Sequence, residues 1–229
     1  MNNLKENLDN IRARIAAACE KAGRQPSEIR LLAVSKKHSA DRIRRLHALG
    51  QSAFGENYVQ EALHKIGELA PLGIEWHFIG PLQSNKTREV AGNFQWAQSV
   101  DRLKLLRRLS AQRPEDMPPL NVCIQVNIDR EPQKAGVMPE GAEELVKEAM
   151  EMPRLRLRGL MTIPEMATDL HDPGESYERM RRLYTDLRGV ASDMDTLSMG
   201  MSGDLESAIL HGSTMVRIGT DLLGPRPTE

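Results

Sequence analysis

The chain has 229 residues, of which 40% are hydrophobic and 28% charged, and its net charge is −1. This balance argues against a basic surface for nucleic acid and against an acidic tail for a basic partner. No apolar run approaches the roughly 20 residues that a membrane helix needs, and the N-terminus lacks the order of a signal peptide. Cys19 and Cys123 are the only cysteines and lie far apart. We therefore expect a cytoplasmic protein in a reducing compartment, without nucleic-acid or membrane partners.

Short apolar runs alternate with amphipathic helical segments along the chain. A first helix is predicted over residues 3–22, because apolar residues from Leu4 to Cys19 recur at steps of three and four. The predicted strands that follow cover residues 29–36, 53–54, 74–79, 94–100, 120–128, 157–162, 196–199 and 214–218.

Eight strands joined by short helical connections predict a parallel sheet with helical crossovers. The fold class is therefore α/β. Because no long segment is left over, the pattern favours a single TIM-type (β/α)8 barrel over an open, doubly wound sheet. Residues 1–229 are thus expected to form one barrel domain, to which the N-terminal helix is additional. The polar segment 164–174 predicts a mobile surface loop.

Two helices carry more detailed predictions. Asp101 is expected to cap the basic helix that follows it. A helix through Val59, Ala62, Leu63 and Ile66 is expected to follow the second strand.

Functional residues of a parallel barrel collect at the carboxyl ends of its strands. In this chain those positions hold lysines, amides, hydroxyls and glycines, without a cluster of histidines or a pair of carboxylates. Such a set suits an anionic ligand better than a metal. The residues are Lys36, Lys37, Glu56, Asn57, Tyr58, Gly80, Gln83, Asn127, Thr162, Ser202, Asp204, Gly219 and Thr220.

The first predicted strand ends in Lys36 and Lys37, directly after a buried apolar run. We hypothesise that one of them forms a Schiff base with an aldehyde cofactor, which requires a neutral amine favoured by partial burial and nearby positive charge. Adjacent strand residues point to opposite sides, so at most one faces the barrel mouth. The alternative is a pair of solvated lysines at a strand end.

Glycine-containing loops follow the last two predicted strands, as Gly200-Met-Ser-Gly203 and Arg217-Ile-Gly-Thr220. Loops at these two places are the common phosphate site of the barrel fold, because glycine lets the backbone approach and free N–H groups attract an oxyanion. The alternative is that Ser202 or Asp204 only caps the next helix. Two such loops at one mouth favour the phosphate site.

Other candidates have simpler interpretations. His77 lies within an apolar strand and is expected to be a structural histidine, and His38 could tune the lysines or only be solvated. The basic and apolar residues 102–109 indicate an amphipathic barrel helix rather than a nucleic-acid surface.

Six segments resemble the pyridoxal phosphate homeostasis protein family, whose members are relatives of the alanine racemase N-terminal barrel. The resemblance runs from about residue 4 to Arg226, in order and at matching spacing. The segments are Ala33-Val-Ser-Lys36, Phe54-Gly-Glu-Asn-Tyr58, Trp76-His-Phe-Ile-Gly-Pro-Leu-Gln-Ser-Asn-Lys86, Leu160-Met-Thr162, Leu197-Ser-Met-Gly-Met-Ser202 and Val216-Arg-Ile-Gly-Thr220.

The resemblance implies that the cofactor is pyridoxal 5′-phosphate (PLP) and that Lys36, not Lys37, is the Schiff-base lysine. It also implies that Arg217 lies against the pyridine nitrogen, and Lys134 matches a second family lysine whose role stays open. An acidic residue often stands where this chain has Gly203. The implied cofactor-binding residues are Lys36, Asn57, Ser202, Gly203, Arg217, Gly219 and Thr220.

Three functions follow from these observations. The first is a non-catalytic carrier that holds PLP as an imine and releases it, with PLP-dependent apoenzymes as recipients and a monomeric state expected. The second is an amino-acid racemase, for which Tyr58 is the only tyrosine at the right rim to act as a second acid–base group. The third is a scaffold that uses the basic helix after Asp101, which the balanced charge disfavours. The residues favour the carrier.

Overall fold

The computed structural model describes residues 4–165 and 173–225. Most of the loop predicted over 164–174 lies outside the described residues. Within them, no helix combines the length and the apolar character needed to cross a bilayer.

The strands of the described residues form one closed parallel barrel. They are β1 (Arg30–Val34), β2 (Ala53–Glu56), β3 (Glu75–Phe78), β4 (Trp96–Val100), β5 (Leu120–Gln125), β6 (Leu155–Met161), β7 (Thr196–Ser198) and β8 (Met215–Ile218). Each strand pairs with its sequence neighbour, and β8 closes the barrel against β1. The predicted (β/α)8 barrel is confirmed.

Helices surround the barrel and cover its outer face. Over the described residues they are α1 (Leu4–Ala22), α2 (Ala40–Ala48), α3 (Val59–Glu68), α4 (Thr87–Asn93), α5 (Leu103–Gln112), α6 (Ala142–Met150), α7 (Gly174–Arg188), α8 (Leu205–Leu210) and α9 (Thr220–Leu223). Single turns of 3-10 helix lie at Pro26–Glu28, Ala70–Leu72, Ser84–Lys86 and Pro139–Gly141. Because both strand faces are covered, β2, β4, β7 and β8 are buried throughout.

The N-terminal helix α1 is additional to the barrel repeat, as predicted. Its apolar stripe, which includes Leu8, Ile11 and Ile15, is buried, and the helix packs on α8 and α9. It therefore lies beside the two helices that follow the last two strands.

The barrel interior is filled with side chains rather than open. Leu32, Val34 and Cys123 form part of an apolar cluster there. Polar side chains also point into the barrel. Residues two apart on a strand share a face, so His77 points to the same side as Ile79, which belongs to this apolar cluster. The fully buried inner polar residues include His77, Gln98 and Ser198.

Two details differ from the sequence predictions. Strand β1 ends at Val34 and not at residue 36, so the two lysines lie in a turn. Asp101 does not cap α5: the residue at the cap position is Arg102, whose guanidinium contacts the Asp101 carboxylate. The predicted helix after the second strand is present as α3, and Lys65 lies on its buried face, whereas Leu63 and Ile66 are partly buried.

Candidate functional site

A cavity of about 310 Å³ opens at the carboxyl ends of the strands. This volume falls at the lower end of the range for small-molecule sites, roughly 300–1,000 Å³. The cavity is lined by Val34, Lys36, Asn57, Ile79, Ile163, Met201, Ser202, Gly203, Asp204, Arg217, Gly219 and Thr220.

All the residues proposed from the sequence to bind a cofactor line this one cavity. They come from four different strand ends, which only a closed barrel brings together. Tyr58 and Gln83 are exposed and do not line the cavity. The seven are Lys36, Asn57, Ser202, Gly203, Arg217, Gly219 and Thr220.

The turn after β1, and not strand alternation, separates the two lysines. Lys36 is partly buried and lines the cavity, whereas Lys37 is exposed. Lys37 has a left-handed backbone with φ 63°, and its N–H donates to Glu61 Oε1 at 2.5 Å. Because a non-glycine residue adopts this conformation only when its surroundings hold it, the turn directs Lys36 alone into the cavity.

A buried ion cluster supports this turn from behind. Lys65 Nζ donates to the Ser35 carbonyl at 2.8 Å and to Glu56 Oε1 at 2.7 Å. It also donates to Glu61 Oε1 at 2.6 Å, and the Ser35 hydroxyl donates to Glu56. Burial raises the pKa of the Glu56 carboxyl, and the neighbouring Lys65 charge opposes that rise.

The sequence analysis did not identify this cluster, because Lys65 was not among its candidate residues. A signal was available, since Lys65 follows Ala62 by three residues and so shares its buried face.

Asn57 reaches the cavity because Gly80 leaves room for its backbone. A Cβ on Gly80 would lie 2.0 Å from the Asn57 carbonyl oxygen, so only glycine fits there. The Asn57 side-chain Oδ1 is buried and finds no hydrogen-bond partner among the described residues. A ligand in the cavity would supply that partner.

Arg217 presents a buried guanidinium at the cavity. Its two terminal nitrogens donate to Ser198 Oγ at 2.9 Å and to the Thr162 carbonyl at 2.8 Å. Burial lowers the pKa of this group, and both of these hydrogen-bond partners are uncharged. It remains a cation, since arginine does not lose its proton in proteins.

The loop after β7 is shaped by Gly200 and Asp204. Gly200 has φ 96°, and a Cβ there would lie 2.5 Å from Ala208 Cβ, so glycine lets α8 pack against the strand end. The Asp204 carboxylate accepts from the Met201 N–H at 2.6 Å and makes no cap bond to α8. A Cβ on Gly203 would meet nothing within 4 Å, so this position has room for a side chain.

The N-terminal helix holds the same loop. Arg14 Nη2 donates to the Ser202 carbonyl at 2.8 Å, and the guanidinium also pairs with Glu206 and Asp221. Arg14 thereby joins α1 to the starts of α8 and α9. The sequence alone identified the apolar stripe of α1 but gave no indication of this contact.

Other candidates have structural surroundings. His77 is buried with both ring nitrogens hydrogen-bonded, as predicted. The Asn127 side chain holds its own loop through Glu131. Lys134 pairs with Glu131 on that loop and does not line the cavity. His38 is buried. Within the described residues, no three His, Cys, Asp or Glu side chains group as metal ligands.

A model of the alanine racemase N-terminal domain family matches residues 7–227. The chain is 52% identical over 226 residues to the pyridoxal phosphate homeostasis protein of Pseudomonas aeruginosa, covering 99% of this chain and 97% of that protein. It is 49% identical to the Escherichia coli protein of the same name, covering 99% and 98%. The chain therefore belongs to the alanine racemase N-terminal domain family and, within it, to the pyridoxal phosphate homeostasis proteins.

Solved structures agree with this placement. PipY of Synechococcus elongatus with PLP bound is 34% identical, with a TM-score of 0.84 over 97% of this chain and 100% of that chain. Alanine racemase of Corynebacterium glutamicum is 18% identical, with a TM-score of 0.65 over 96% of this chain and 62% of that chain. The racemase likeness shows the shared barrel fold alone.

Proposed function

We propose that the protein binds PLP as an imine on Lys36, limits the free concentration of this reactive aldehyde and releases it, without catalysing amino-acid chemistry. The observation that carries the proposal is the single cavity that unites Lys36, Arg217 and the glycine loops after β7 and β8. The names of the curated relatives and the bound PLP in PipY support it.

The cavity's own chemistry fits this cofactor. Lys36 would supply the amine that condenses with the aldehyde, with loss of water. The orphaned Asn57 Oδ1 would accept a hydrogen bond from the bound molecule. Ser202, Gly203, Gly219 and Thr220 would hold the phosphate at the place where this fold binds such groups.

Arg217 would lie against the pyridine nitrogen, and this contact argues against catalysis. A permanent cation there disfavours protonation of the ring, which weakens the cofactor as an electron sink. The titratable side chains that line the described cavity are Lys36, Asp204 and Arg217. A racemase needs a second acid–base group opposite Lys36, and Tyr58 is 53% exposed and outside the lining.

Titration of the purified protein with PLP, followed by visible absorbance, tests the binding proposal. Wild type and Lys37→Ala should form the imine band, and Lys36→Ala should lose it. Equal bands in all three proteins would overturn the assignment. Incubation with L- or D-alanine tests the racemase alternative, and appreciable interconversion of the enantiomers would replace the carrier with an enzyme.

We also propose that recipients are PLP-dependent apoenzymes, that residues 1–229 act as a single monomeric domain, and that the protein works in the cytoplasm. Cys19 and Cys123 are both free and buried, which suits a reducing compartment. Light scattering of the loaded protein should give the mass of one chain. Mixing it with an apoenzyme should restore the activity of that enzyme, and failure to do so would exclude delivery.

A further inference from the structure

A chain of buried hydrogen bonds runs through the barrel interior from Arg217 to the opposite end of the strands. Ser198 Oγ lies 2.7 Å from Gln98 Oε1, and Gln98 Nε2 lies 2.8 Å from His77 Nδ1. His77 Nε2 lies 2.5 Å from Glu75 Oε1, which in turn pairs with Arg30 at 2.5 Å. We call Arg217, Ser198, Gln98, His77 and Glu75 the core relay.

The acceptor-only carboxylate of Glu75 and the donor-only guanidinium of Arg217 together fix the directions of the hydrogen bonds in the core relay. The pKa of Glu75 is lowered to about 2, so its carboxylate accepts and His77 donates from Nε2. His77 Nδ1 then accepts from the Gln98 amide nitrogen, which turns Gln98 Oε1 towards Ser198. Ser198 Oγ accepts from Arg217 and donates its own hydrogen to that oxygen.

The far end of the core relay is anchored by charge. His77 Nε2–H points to the Glu75 carboxylate, which the Arg30 guanidinium also contacts. Burial lowers the pKa of His77 to about 4, so the ring is neutral near pH 7. Trp96 stacks on the ring at 4.9 Å between centroids and holds its plane. Each relay member therefore has one acceptable orientation.

Fully buried polar side chains cost free energy unless every group is satisfied, and a satisfied network specifies one arrangement. His77, Gln98 and Ser198 have no exposed surface, and they lie beneath the cavity rather than in its lining. Apolar residues could fill this space more simply. This network holds one terminal nitrogen of the Arg217 guanidinium through Ser198, and the Thr162 carbonyl holds the other.

We propose that Ser198 and Gln98 are positioning residues that set the orientation of the Arg217 guanidinium against the PLP ring, with His77 and Glu75 anchoring them at the far end of the barrel. The inference rests on the proposed function, because it assigns Arg217 a ring contact. It extends the cofactor site to residues that do not touch the cofactor.

Two variants break the core relay at different points. Ser198→Ala removes the acceptor nearest Arg217, and Gln98→Met replaces the amide with an apolar chain of similar length. Ser213→Ala is the matched control, since Ser213 is equally buried between β7 and β8 but donates only to backbone carbonyls. All three proteins are loaded with PLP, and the readouts are the PLP dissociation constant and the pH midpoint of the imine absorbance.

We expect Ser198→Ala and Gln98→Met each to weaken PLP binding about three- to tenfold and to shift the imine midpoint in the same direction as Arg217→Gln. Ser213→Ala should match wild type in both readouts even where it lowers thermal stability. An unchanged midpoint in Ser198→Ala, or one matching Ser213→Ala, would overturn the proposal. If the imine midpoint shifts in Ser198→Ala but not in Gln98→Met, the positioning role of Gln98, His77 and Glu75 is contradicted. If the wild-type protein forms no imine band with PLP, both the proposed function and this inference are contradicted.

Discussion

Lys65 and Glu56 form an ion pair inside the protein, with Nζ 2.7 Å from Oε1 and both side chains almost fully buried. The pair lies directly behind the turn that carries Lys36, because Lys65 also holds the Ser35 carbonyl. The position of the proposed Schiff-base lysine thus depends on a second lysine that does not line the cavity.

Lys65→Met is expected to destabilise the fold by about 3–5 kcal/mol, since it leaves the buried Glu56 carboxylate without its cation. Burial already raises the pKa of Glu56, and without Lys65 it would rise further. When the pKa of a carboxyl is raised in the folded state, the free energy of unfolding decreases as pH rises above the ordinary pKa of 4.5. The loss of stability caused by Lys65→Met should therefore be smaller below pH 4.5 than at pH 7. Urea unfolding at the two pH values measures this difference.

Lys147→Met provides the control for that prediction. Lys147 pairs with Glu143 on an exposed face of α6, so the same loss of charge should change stability by less than about 1 kcal/mol. Equal effects of the two substitutions would contradict a structural role for the buried pair. The double variant Lys65→Met with Glu56→Gln should recover part of the lost stability.

Arg14→Gln should weaken PLP binding about fivefold, because a contact worth roughly 1 kcal/mol no longer holds the Ser202 loop. The fold should survive, since the apolar stripe of α1 is unchanged. Arg12→Gln removes the same charge from an exposed position on α1 and should bind as wild type does. Equal affinities of the two variants would show that α1 does not support the phosphate loops.

Arg217→Gln should shift the imine absorbance and its pH midpoint, because the ring nitrogen would then no longer face a fixed cation. Arg113→Gln is a matched control: Arg113 is equally buried but donates to backbone carbonyls at the other end of the barrel. Spectra of Arg217→Gln that coincide with wild type would count against the ring contact.

Stability should fall as the solution is acidified from about pH 6.5 towards pH 4. The pKa of His77 lies lower in the folded protein than its ordinary value of 6.5, so the unfolded chain binds the proton first. The stabilisation from the neutral His77 ring is complete above pH 6.5 and is lost as pH falls towards 4, with a total of about 3 kcal/mol. Thermal unfolding of His77→Gln should show a flatter profile over this interval, whereas His64→Gln on the exposed face of α3 should retain the wild-type profile.

Much of the architecture could be predicted from periodicity. Alternating apolar strands and amphipathic helices predicted the barrel and its order, and the stripe of α1 matched its buried face. Strand ends were less accurate, because β1 stops at Val34 and β5 at Gln125, where loop contacts replace the sheet ladder. Polar residues at strand ends predicted the cavity because a parallel barrel gathers them at one mouth.

The contacts that hold those residues could not be predicted in the same way. Lys65 and Arg14 act through partners distant in the chain, such as Ser35 and Ser202. Helical spacing indicates that Lys65 is buried, but no local pattern identifies the partner of either residue. The core relay is hidden for the same reason, since its members come from separate strands.

The most direct test of the account is the site of covalent attachment. The protein is loaded with PLP, reduced with borohydride, digested and fragmented by tandem mass spectrometry. We predict that the reduced pyridoxyl adduct lies on Lys36. An adduct confined to Lys37, Lys65 or Lys134 would contradict the proposed function.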